Sequence, residues 1–304
     1  MDGIETIDLL YGPARGIPSA IILSGDITMS YAYRRTYRGP IQAVIFDWAG
    51  TTMDFGCVAP AVVFIEVFKR EGVPIDMAEA RGPMGAAKRA HIAQIAAMPS
   101  VRERWIKVHG KAPGEADVDR MYAAFIPLQL DCLSQYSDLI PGALETVNTL
   151  KSRGIKIGSS SGYSTEMMAV NIRDTARHGF SVDLSVCASD VPHGRPNPDM
   201  CLLNVIKLGI TTVEACVKVD DTLTGIEEGL NAGMWSIGVA ISGNEVGLSH
   251  AEWVALSVAE QARHRARAYG RMQQCGAHYV VDSIADLMPC IDDITARLAR
   301  GERP

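Results

Sequence analysis

The stretch VIFDWAGTT, residues 44–52, combines the end of a buried strand with the beginning of a chemical site. Its apolar run ends on one carboxylate, Asp47, and the chain then turns through small residues and threonines. A short apolar run followed by polar residues is typical of a buried strand. Two positions after Asp47, where a second acid would be expected, the sequence has Ala49. The stretch therefore indicates a reaction that needs the first acid but not the second.

Further short apolar runs follow and alternate with helical patterns. They predict strands within 42–47, 155–161, 184–189, 216–221, 235–240 and 277–283. Helices are predicted between them, for example at 141–154 and 225–233, and both of these end at a glycine. The alternation predicts an α/β fold with a doubly wound parallel sheet covered on both faces.

A long segment without strand patterns interrupts the alternation directly after the first strand. This segment, residues 54–139, is called the helical block below. It includes helical patterns at 59–72 and at 100–110, where Ser100 with Glu103 three residues later predicts a capping box. Because ligands of open α/β sheets bind beyond the carboxyl ends of the strands, we expect the helical block to cover the site like a lid.

These patterns predict the domain organisation. Residues 41–53 and 140–304 form the α/β core, and residues 54–139 are a helical cap inserted into it. Residues 1–40, rich in Gly, Pro, Tyr and Arg without periodicity, are expected to be a poorly ordered extension outside the fold.

Composition and charge narrow the function classes. Among 304 residues the formal net charge is −6, and no Lys/Arg run interleaves with aromatics, which argues against a nucleic-acid partner. No apolar run approaches the roughly 18 residues of a membrane span, so we expect no membrane partner. The seven cysteines are scattered and contain no CxxC pair, which predicts neither disulfides nor a zinc site but a reducing, cytoplasmic compartment.

Polar residues stand at the ends of three predicted strands. Asp47 ends the first, Ser161 the second, and Asp220–Asp221 the fourth. Taken singly, these are ordinary turn, loop and helix N-cap residues. Together, on a parallel sheet, they predict one site, in which a carboxylate serves as nucleophile or as a ligand of Mg²⁺.

In these positions the chain resembles the haloacid dehalogenase superfamily, whose phosphotransferases use an aspartate nucleophile. Four family motifs have counterparts here: Asp47 to Thr51, Ser161, Arg195 in GRPNP, and Asp220–Asp221. The departure is Ala49. In the phosphatases of the family the second Asp protonates the leaving oxygen and later activates water, and alanine does neither.

Longer stretches resemble the phosphonatase family within that superfamily. They are VIFDWAGTTMDFGCVAP, GPMGAAKRAH, IKIGSSSGYSTEMM, DVPHGRPNPDM and VKVDDT followed by EEGLNAGMW, and the resemblance runs from about residue 41 to the C-terminus. It implies a Mg²⁺-dependent hydrolase that converts phosphonoacetaldehyde, a small phosphonate, to acetaldehyde and phosphate in phosphonate catabolism.

Breaking a carbon–phosphorus bond explains the missing acid. The leaving group is a carbanion, so a proton delivered to oxygen does not help it depart, whereas an imine formed with a lysine accepts the electron pair. Lys88 in the helical block is the candidate, although a lysine near a helix start is usually solvated. We place it in the first turn of a helix starting around 85–86. There the helix dipole, Arg81, Arg89 and His91 would lower its pKa.

The resemblance implies roles for the remaining residues. Asp47 would attack phosphorus, and one Mg²⁺ per subunit would be held by the Asp47 side chain, the Ala49 carbonyl and Asp221. Ser161, the amide of Gly162 and Arg195 would bind the phosphoryl group. The other substrate-binding residues implied are Thr51, Cys57, Met84, Gly85, His91 and Tyr163. Gly225 stands where some relatives have a further acid, for which Asp220 is a substitute.

Two other functions and one assembly remain open at this point. A phosphate-ester phosphatase or mutase with the same lid would lack the acid that Ala49 replaces. An inactive binding protein on this fold would have no reason to keep Asp47, Ser161, Arg195 and Asp221. The family resemblance also suggests a homodimer through the helical block. Its apolar residues Val62, Val63, Phe64, Val67 and Phe68 fit either a dimer interface or internal packing.

Overall fold

The computed structural model describes residues 36–304, so the first 35 residues of the predicted extension 1–40 lie outside the described range. Within that range the chain forms one six-stranded sheet. Its strands are β1 (Ala43–Phe46), β2 (Lys156–Ser161), β3 (Leu184–Cys187), β4 (Cys216–Asp220), β5 (Trp235–Val239) and β6 (Tyr279–Val281).

All neighbouring strands are parallel, in the order β3-β2-β1-β4-β5-β6, which confirms the predicted α/β class. β1 lies at the centre, and its four residues are fully buried because helices cover both faces of the sheet. Phe46 is in register with Ser159 of β2 and Val219 of β4. The residues that follow these three, beginning with Asp47, therefore meet at one edge of the sheet.

The helical block, residues 54–139, contains five α-helices: α1 (Val58–Arg70), α2 (Met77–Arg81), α3 (Lys88–Ala97), α4 (Pro99–His109) and α5 (Glu115–Leu133). The later helices are α6 (Ala143–Ser152), α7 (Thr165–Ala176), α8 (Asp199–Lys207), α9 (Leu223–Asn231), α10 (His250–Ala255), α11 (Val258–Cys275) and α12 (Leu287–Arg300). Of the helices within residues 36–304, none is both long and apolar enough to cross a membrane.

The apolar face of α1 is used inside the chain. Val63, Phe64, Val67 and Phe68 are buried, and the Phe64 ring stacks on Phe125 of α5 with centroids 4.6 Å apart. Burial of such side chains contributes about 1.5–3 kcal/mol each. These four side chains could have formed a dimer interface or packed internally, and in the structure they pack internally.

The predicted capping box at Ser100 is wrong. The helix begins one residue earlier, at Pro99, and its N-cap residue Met98 offers no side-chain acceptor. Proline is favoured at the first helical position because its fixed φ suits the helix and its missing N–H is not needed there. Ser100 instead donates its hydroxyl to Glu79 Oε1 at 2.6 Å.

The two connections between the helical block and the sheet run side by side. The Ile140 N–H donates to Thr52 O at 2.9 Å, and the Asp54 N–H donates to Asp138 O at 3.1 Å. Met53 and Leu139 form an isolated antiparallel bridge between these bonds. The block thus leaves and rejoins the sheet at one place, next to the end of β1.

Candidate active site

A small cavity lies at the carboxyl ends of β1, β2 and β4, between the sheet and the helical block. Its lining residues come from both parts of the chain: Asp47, Ala49, Cys57, Pro60, Met84, Gly85, Lys88, Ser161, Gly162, Tyr163, Arg195 and Thr222. Most of the predicted site residues are among them, whereas Thr51, His91 and Asp221 are not. A larger cleft of about 650 Å³, lined by Phe55, Tyr136 and His250, contains neither Lys88 nor the acids at the strand ends.

Arg195 lines the cavity and binds Asp47 there. Its Nη2 donates to Asp47 Oδ1 at 2.8 Å and to the Ser160 carbonyl at 2.7 Å, and its Nε donates to Glu228 Oε2 at 2.9 Å. Burial, together with nearby Asp220, raises the pKa of Asp47 to about 6 although Arg195 opposes the rise. Arg195 therefore helps to keep the buried Asp47 carboxylate ionised near neutral pH.

A second buried cation, which the sequence analysis missed, supports this arrangement. Lys218 Nζ lies 2.7 Å from Asp220 Oδ2 and 3.4 Å from Glu228 Oε2, and it donates to Ser160 Oγ at 2.7 Å. Arg195 also contacts Asp220 and Glu228. The two cations, Arg195 and Lys218, and these two carboxylates therefore neutralise each other next to Asp47. A lysine inside the otherwise apolar run CVKVD was the signal that could have revealed it.

The carboxylates of Asp47, Asp220 and Asp221 have oxygens within 4.8 Å of one another and could hold a metal ion. Asp220 is already paired with Lys218 and accepts the Thr222 hydroxyl at 2.7 Å. Asp221, in contrast, has no ion pair among the described residues. Burial and Asp47 raise its pKa well above the ordinary value. Two close carboxylates that lack sufficient positive charge suit a divalent cation with oxygen ligands, so the donor set fits Mg²⁺.

Thr51 lies against Asp221 rather than on the cavity wall. Its Oγ1 donates to Asp221 Oδ1 at 3.3 Å, while the Asn244 N–H donates to Asp221 Oδ2 at 2.8 Å. The turn after Asp47 also requires Gly50, which has φ +86°, and a Cβ there would lie 2.2 Å from Asp221 Oδ2. The DWAGT sequence thus builds a turn that closes tightly around one carboxylate.

Gly225 has a packing explanation. A Cβ at this position would lie 2.0 Å from Asp220 Cγ, so the Asp220 carboxylate occupies the space that a side chain at 225 would need. The two positions are complementary, which supports Asp220 as the substitute acid.

The loop after β2 carries Ser161 and Gly162 to the cavity. Ser161 Oγ accepts the Tyr163 N–H at 3.2 Å, which fixes the hydroxyl at the cavity wall. A Cβ on Gly162 would lie 2.6 Å from the Ala86 carbonyl, so the helical block rests directly on this glycine.

Lys88 begins α3 and is only 6% exposed. The helix thus starts slightly later than the predicted 85–86, which puts Lys88 at its first residue. The Lys88 Nζ lies 4.4 Å from the Tyr163 ring centroid and 5.8 Å from that of Phe64. Burial lowers the pKa of Lys88 to about 8, with Arg195 adding to the effect while Cys57 and Asp47 oppose it. A substantial share of neutral amine is therefore present near pH 8.

The cations predicted to act on Lys88 are not the ones that do so. Arg89 is turned outward and binds Glu115 at 2.6 Å and Asp119 at 2.7 Å, since successive helix residues point in different directions. Arg81 donates to backbone carbonyls of another loop, including Gly56 O at 2.8 Å. Proximity in sequence misled here, because Arg195 is the cation that lowers the pKa of Lys88.

His91 is buried behind the cavity instead of lining it. Its Nε2 lies 2.8 Å from Ala80 O, and its ring centroid lies 3.8 Å from that of Phe64. Burial and the nearby Lys88 lower the pKa of His91 to about 3, so the ring is neutral. It packs on Phe64 and is absent from the cavity lining.

Cys57, Met84, Gly85 and Tyr163 do line the cavity around the amine. Burial raises the pKa of Cys57 and of Tyr163 well above their ordinary values, so both carry their protons. This part of the wall is therefore uncharged, whereas Asp47 and Arg195 carry the charge elsewhere in the cavity. An uncharged wall favours the neutral amine over the ammonium ion.

Comparison with known proteins gives one hydrolase family and several similar proteins that share one name. Residues 41–233 match the haloacid dehalogenase-like hydrolase family. Phosphonoacetaldehyde hydrolase of Hahella chejuensis is 50% identical over 91% of this chain and 94% of its own. The enzyme of that name from Paraburkholderia phytofirmans is 48% identical over 87% of this chain and 99% of its own. A crystal structure of a phosphonoacetaldehyde hydrolase-like protein from Oleispira antarctica superposes with a TM-score of 0.88 at 46% identity, covering 91% of this chain and 100% of that one.

Proposed function

This chain belongs to the haloacid dehalogenase-like hydrolases and, within them, to the phosphonoacetaldehyde hydrolases, and from this premise we propose that it cleaves phosphonoacetaldehyde to acetaldehyde and phosphate. The observation that carries the proposal is a single cavity lined by both Lys88 and Asp47. Ala49 lines the same cavity, where an ester phosphatase of this family would need an acid.

The first step is imine formation. The neutral amine of Lys88 adds to the aldehyde carbon and water leaves, and the imine takes up one proton from solvent, giving a protonated imine next to the carbon that carries phosphorus. The burial that lowers the pKa of Lys88 to about 8 supports this step, because only the neutral amine is a nucleophile.

Asp47 then attacks phosphorus. As the oxygen–phosphorus bond forms, the carbon–phosphorus bond breaks and its electron pair moves into the imine to give an enamine, while Asp47 becomes an aspartyl-phosphate. Arg195, held by Glu228 and Ser160, directs its charge at Asp47 and the phosphoryl oxygens, and Ser161 and the Gly162 amide are placed to donate to them.

Two hydrolyses complete the turnover. Water releases phosphate from Asp47, and the enamine takes a proton at carbon to return to an imine. A second water then releases acetaldehyde and restores the Lys88 amine. Across the cycle one water is consumed, because the water lost on imine formation balances the one used to open the imine.

A Mg²⁺ ion bound by the Asp47 side chain, the Ala49 carbonyl and Asp221 would neutralise phosphoryl charge. This assignment of ligands does not depend on the side chain at position 49. Asp220 is excluded from the set in our proposal because Lys218 and Arg195 already pair with it.

The test is product identity together with covalent trapping. Borohydride added with phosphonoacetaldehyde should fix a substrate-derived adduct on Lys88, located by peptide mass spectrometry. Lys88→Arg should give neither adduct nor acetaldehyde, whereas Lys107→Arg, an exposed lysine of the same block, should behave as wild type. Full turnover by Lys88→Arg with no adduct in wild type would refute the proposal.

A substrate panel separates the alternatives. Rapid hydrolysis of a sugar phosphate or phosphoglycolate would favour an ester phosphatase, which would have to work without the roughly 10²–10⁴-fold contribution of an acid–base group at position 49. Phosphate release from no compound, with Mg²⁺ still bound, would favour a binding protein.

We also propose a cytoplasmic homodimer that forms through the helical block. All seven cysteines are free thiols, which suits a reducing compartment. With Val63 and its neighbours buried, the exposed Ile106 and Val108 of α4 offer the apolar surface. Sedimentation equilibrium should give a dimer for wild type and a monomer for Val108→Lys; a monomeric wild type would contradict it.

A further inference from the structure

The side chain of Arg81 connects the helical block to a loop of the α/β core. Arg81 is the last residue of α2, and its Nη2 donates to the Gly247 carbonyl at 3.0 Å. Its Nη1 donates to Gly56 O at 2.8 Å, to Cys57 O at 3.2 Å and to Asn244 Oδ1 at 3.2 Å. A single guanidinium therefore joins the start of α1, the end of α2 and the loop 242–247.

The contact at Gly247 leaves no space for a side chain. Gly247 has φ +68°, and a Cβ there would lie 2.8 Å from Arg81 Cζ. The guanidinium thus packs on bare backbone, in a fit that needs both a glycine and a planar cation.

The same loop holds a carboxylate of the candidate metal site. The Asn244 N–H donates to Asp221 Oδ2 at 2.8 Å, and the Asn244 side-chain amide donates back to Arg81 O at 3.4 Å. Asn244 therefore contacts Arg81 of the helical block and Asp221 of the sheet at once.

The segment that follows Arg81 is fixed to the core at its other end. The Thr224 hydroxyl donates to Met84 O at 3.0 Å. A Cβ at Gly85 would lie 2.3 Å from that same hydroxyl oxygen. Lys88 comes three residues after Gly85, so its amine is carried by a segment held at two points.

We propose that Arg81 is a positioning residue: by binding the loop 242–247 it holds segment 81–88 on the core and thereby sets the Lys88 amine against Asp47. The catalytic consequence rests on the proposed function, but the contact itself does not. Since Asn244 is shared, the position of Lys88 and the position of Asp221 depend on the same contact.

The test compares Arg81→Ala with Arg89→Ala, which removes an outward-facing arginine of the same block. In the full-length protein without substrate, Arg81→Ala should speed amide hydrogen exchange in residues 77–97 and raise the labelling rate of Lys88 by an amine reagent. With phosphonoacetaldehyde its kcat should fall by about 100-fold, as expected for a catalytic group displaced by about 1 Å. Arg89→Ala should stay within about twofold of wild type in all three measurements.

If Arg81→Ala folds poorly, Arg81→Lys keeps the inference testable, and if it folds, rescue and a double-mutant cycle sharpen the test. Arg81→Lys keeps the charge but not the fork of donors, so it should recover only part of the activity. Millimolar guanidinium ion should rescue Arg81→Ala and leave wild type unchanged. In a double-mutant cycle, Arg81→Ala should cost less in the Asn244→Ala background than in wild type.

The outcomes separate this inference from the proposed function. Unchanged exchange and unchanged Lys88 labelling in Arg81→Ala would overturn the positioning role, whatever the substrate is. Strict additivity of Arg81→Ala and Asn244→Ala would do the same. A wild-type protein that releases no acetaldehyde would refute the function while leaving the exchange and labelling results to decide on Arg81.

Discussion

The pKa values of two buried lysines of this protein are shifted in opposite directions. Lys218, on the central sheet, and Lys88, on the helical block, are both withdrawn from solvent, at 0% and 6% exposure. Burial would lower the pKa of each. For Lys218, however, Asp220 and Glu228 outweigh both burial and Arg195 and raise the pKa, whereas Lys88 has a pKa of about 8.

The two pKa values differ because the two amines have different neighbours, and not because one lysine is buried more deeply than the other. Lys218 Nζ has a carboxylate oxygen at 2.7 Å, while the amine of Lys88 faces the rings of Tyr163 and Phe64. A paired ammonium serves as a fixed charge, and an unpaired amine is free to react. In the proposed mechanism the sheet therefore supplies the fixed charges, and the helical block supplies the reactive amine.

The largest expected effect separates the two lysines by activity. Lys88→Met should lower kcat for acetaldehyde release by roughly 10⁴-fold or more, the order found when a group that bonds covalently to substrate is lost. Its free energy of unfolding should stay level or rise, because a buried amine gives way to an apolar side chain. Coupled-assay kinetics and urea unfolding would check both. A loss of stability without a loss of rate would reverse the assigned roles.

The next effect separates them by stability. Lys218→Met leaves Asp220 and Glu228 buried without one of their two cations, so we expect a loss of about 3–5 kcal/mol in the free energy of unfolding. Urea denaturation would measure it against Lys207→Met, an exposed lysine of α8, which should change little. Equal stability of the two variants would show that the buried network contributes nothing.

Displacing one partner of Lys218 should have a smaller effect. Gly225→Ala would put a Cβ 2.0 Å from Asp220 Cγ and force that carboxylate to move. Overpacking of this kind costs about 1–3 kcal/mol, and thermal unfolding would detect it. Gly270→Ala, at a half-buried position of α11 with no atom within 4 Å of the new Cβ, is the matched control and should be neutral or slightly stabilising.

The smallest effect is a pH dependence. Below about pH 8 the Lys88 amine is mostly protonated, so its labelling by an amine reagent should rise about tenfold per pH unit and level off above pH 8. Lys218 should remain unlabelled over the same range. Mass spectrometry of the two peptides would follow both, and a midpoint near the ordinary lysine value of about 10.4 would contradict the contrast.

Much of the sheet, and the meeting of the strand-end residues at one site, could be predicted from sequence, because the information is local. Asp47, Ser161 and Asp221 each follow an apolar run, and parallel strands bring their carboxyl ends to one edge. The direction in which a helical side chain points was harder to predict. Arg89 adjoins Lys88 in the chain but faces away from it, and Arg195, far away in sequence, acts on its amine.

Contacts made across the fold were not predictable from the patterns used. In the sequence Glu228 resembles any polar residue of a helix. In the structure α9 packs against β4, and this packing brings Glu228 into contact with Lys218 and Arg195. Arg81 meets Asn244 across 163 positions of sequence. Even the local cap at Ser100 was wrong, because Pro99 starts the helix first.

The side-by-side connections at Thr52–Ile140 and Asp54–Asp138 have a consequence for how the chain can change. The hydrogen bonds between these two connections hold residues 52–54 next to residues 138–140. For the sheet, the connection is therefore as short as a tight loop, whatever the length of the segment inserted between them. Loop-closure entropy grows only slowly with length, so inserts of other sizes could be exchanged at this junction at modest cost. If the proposed mechanism holds, residues 54–139 can diversify toward new leaving groups while the sheet that carries Asp47 stays constant.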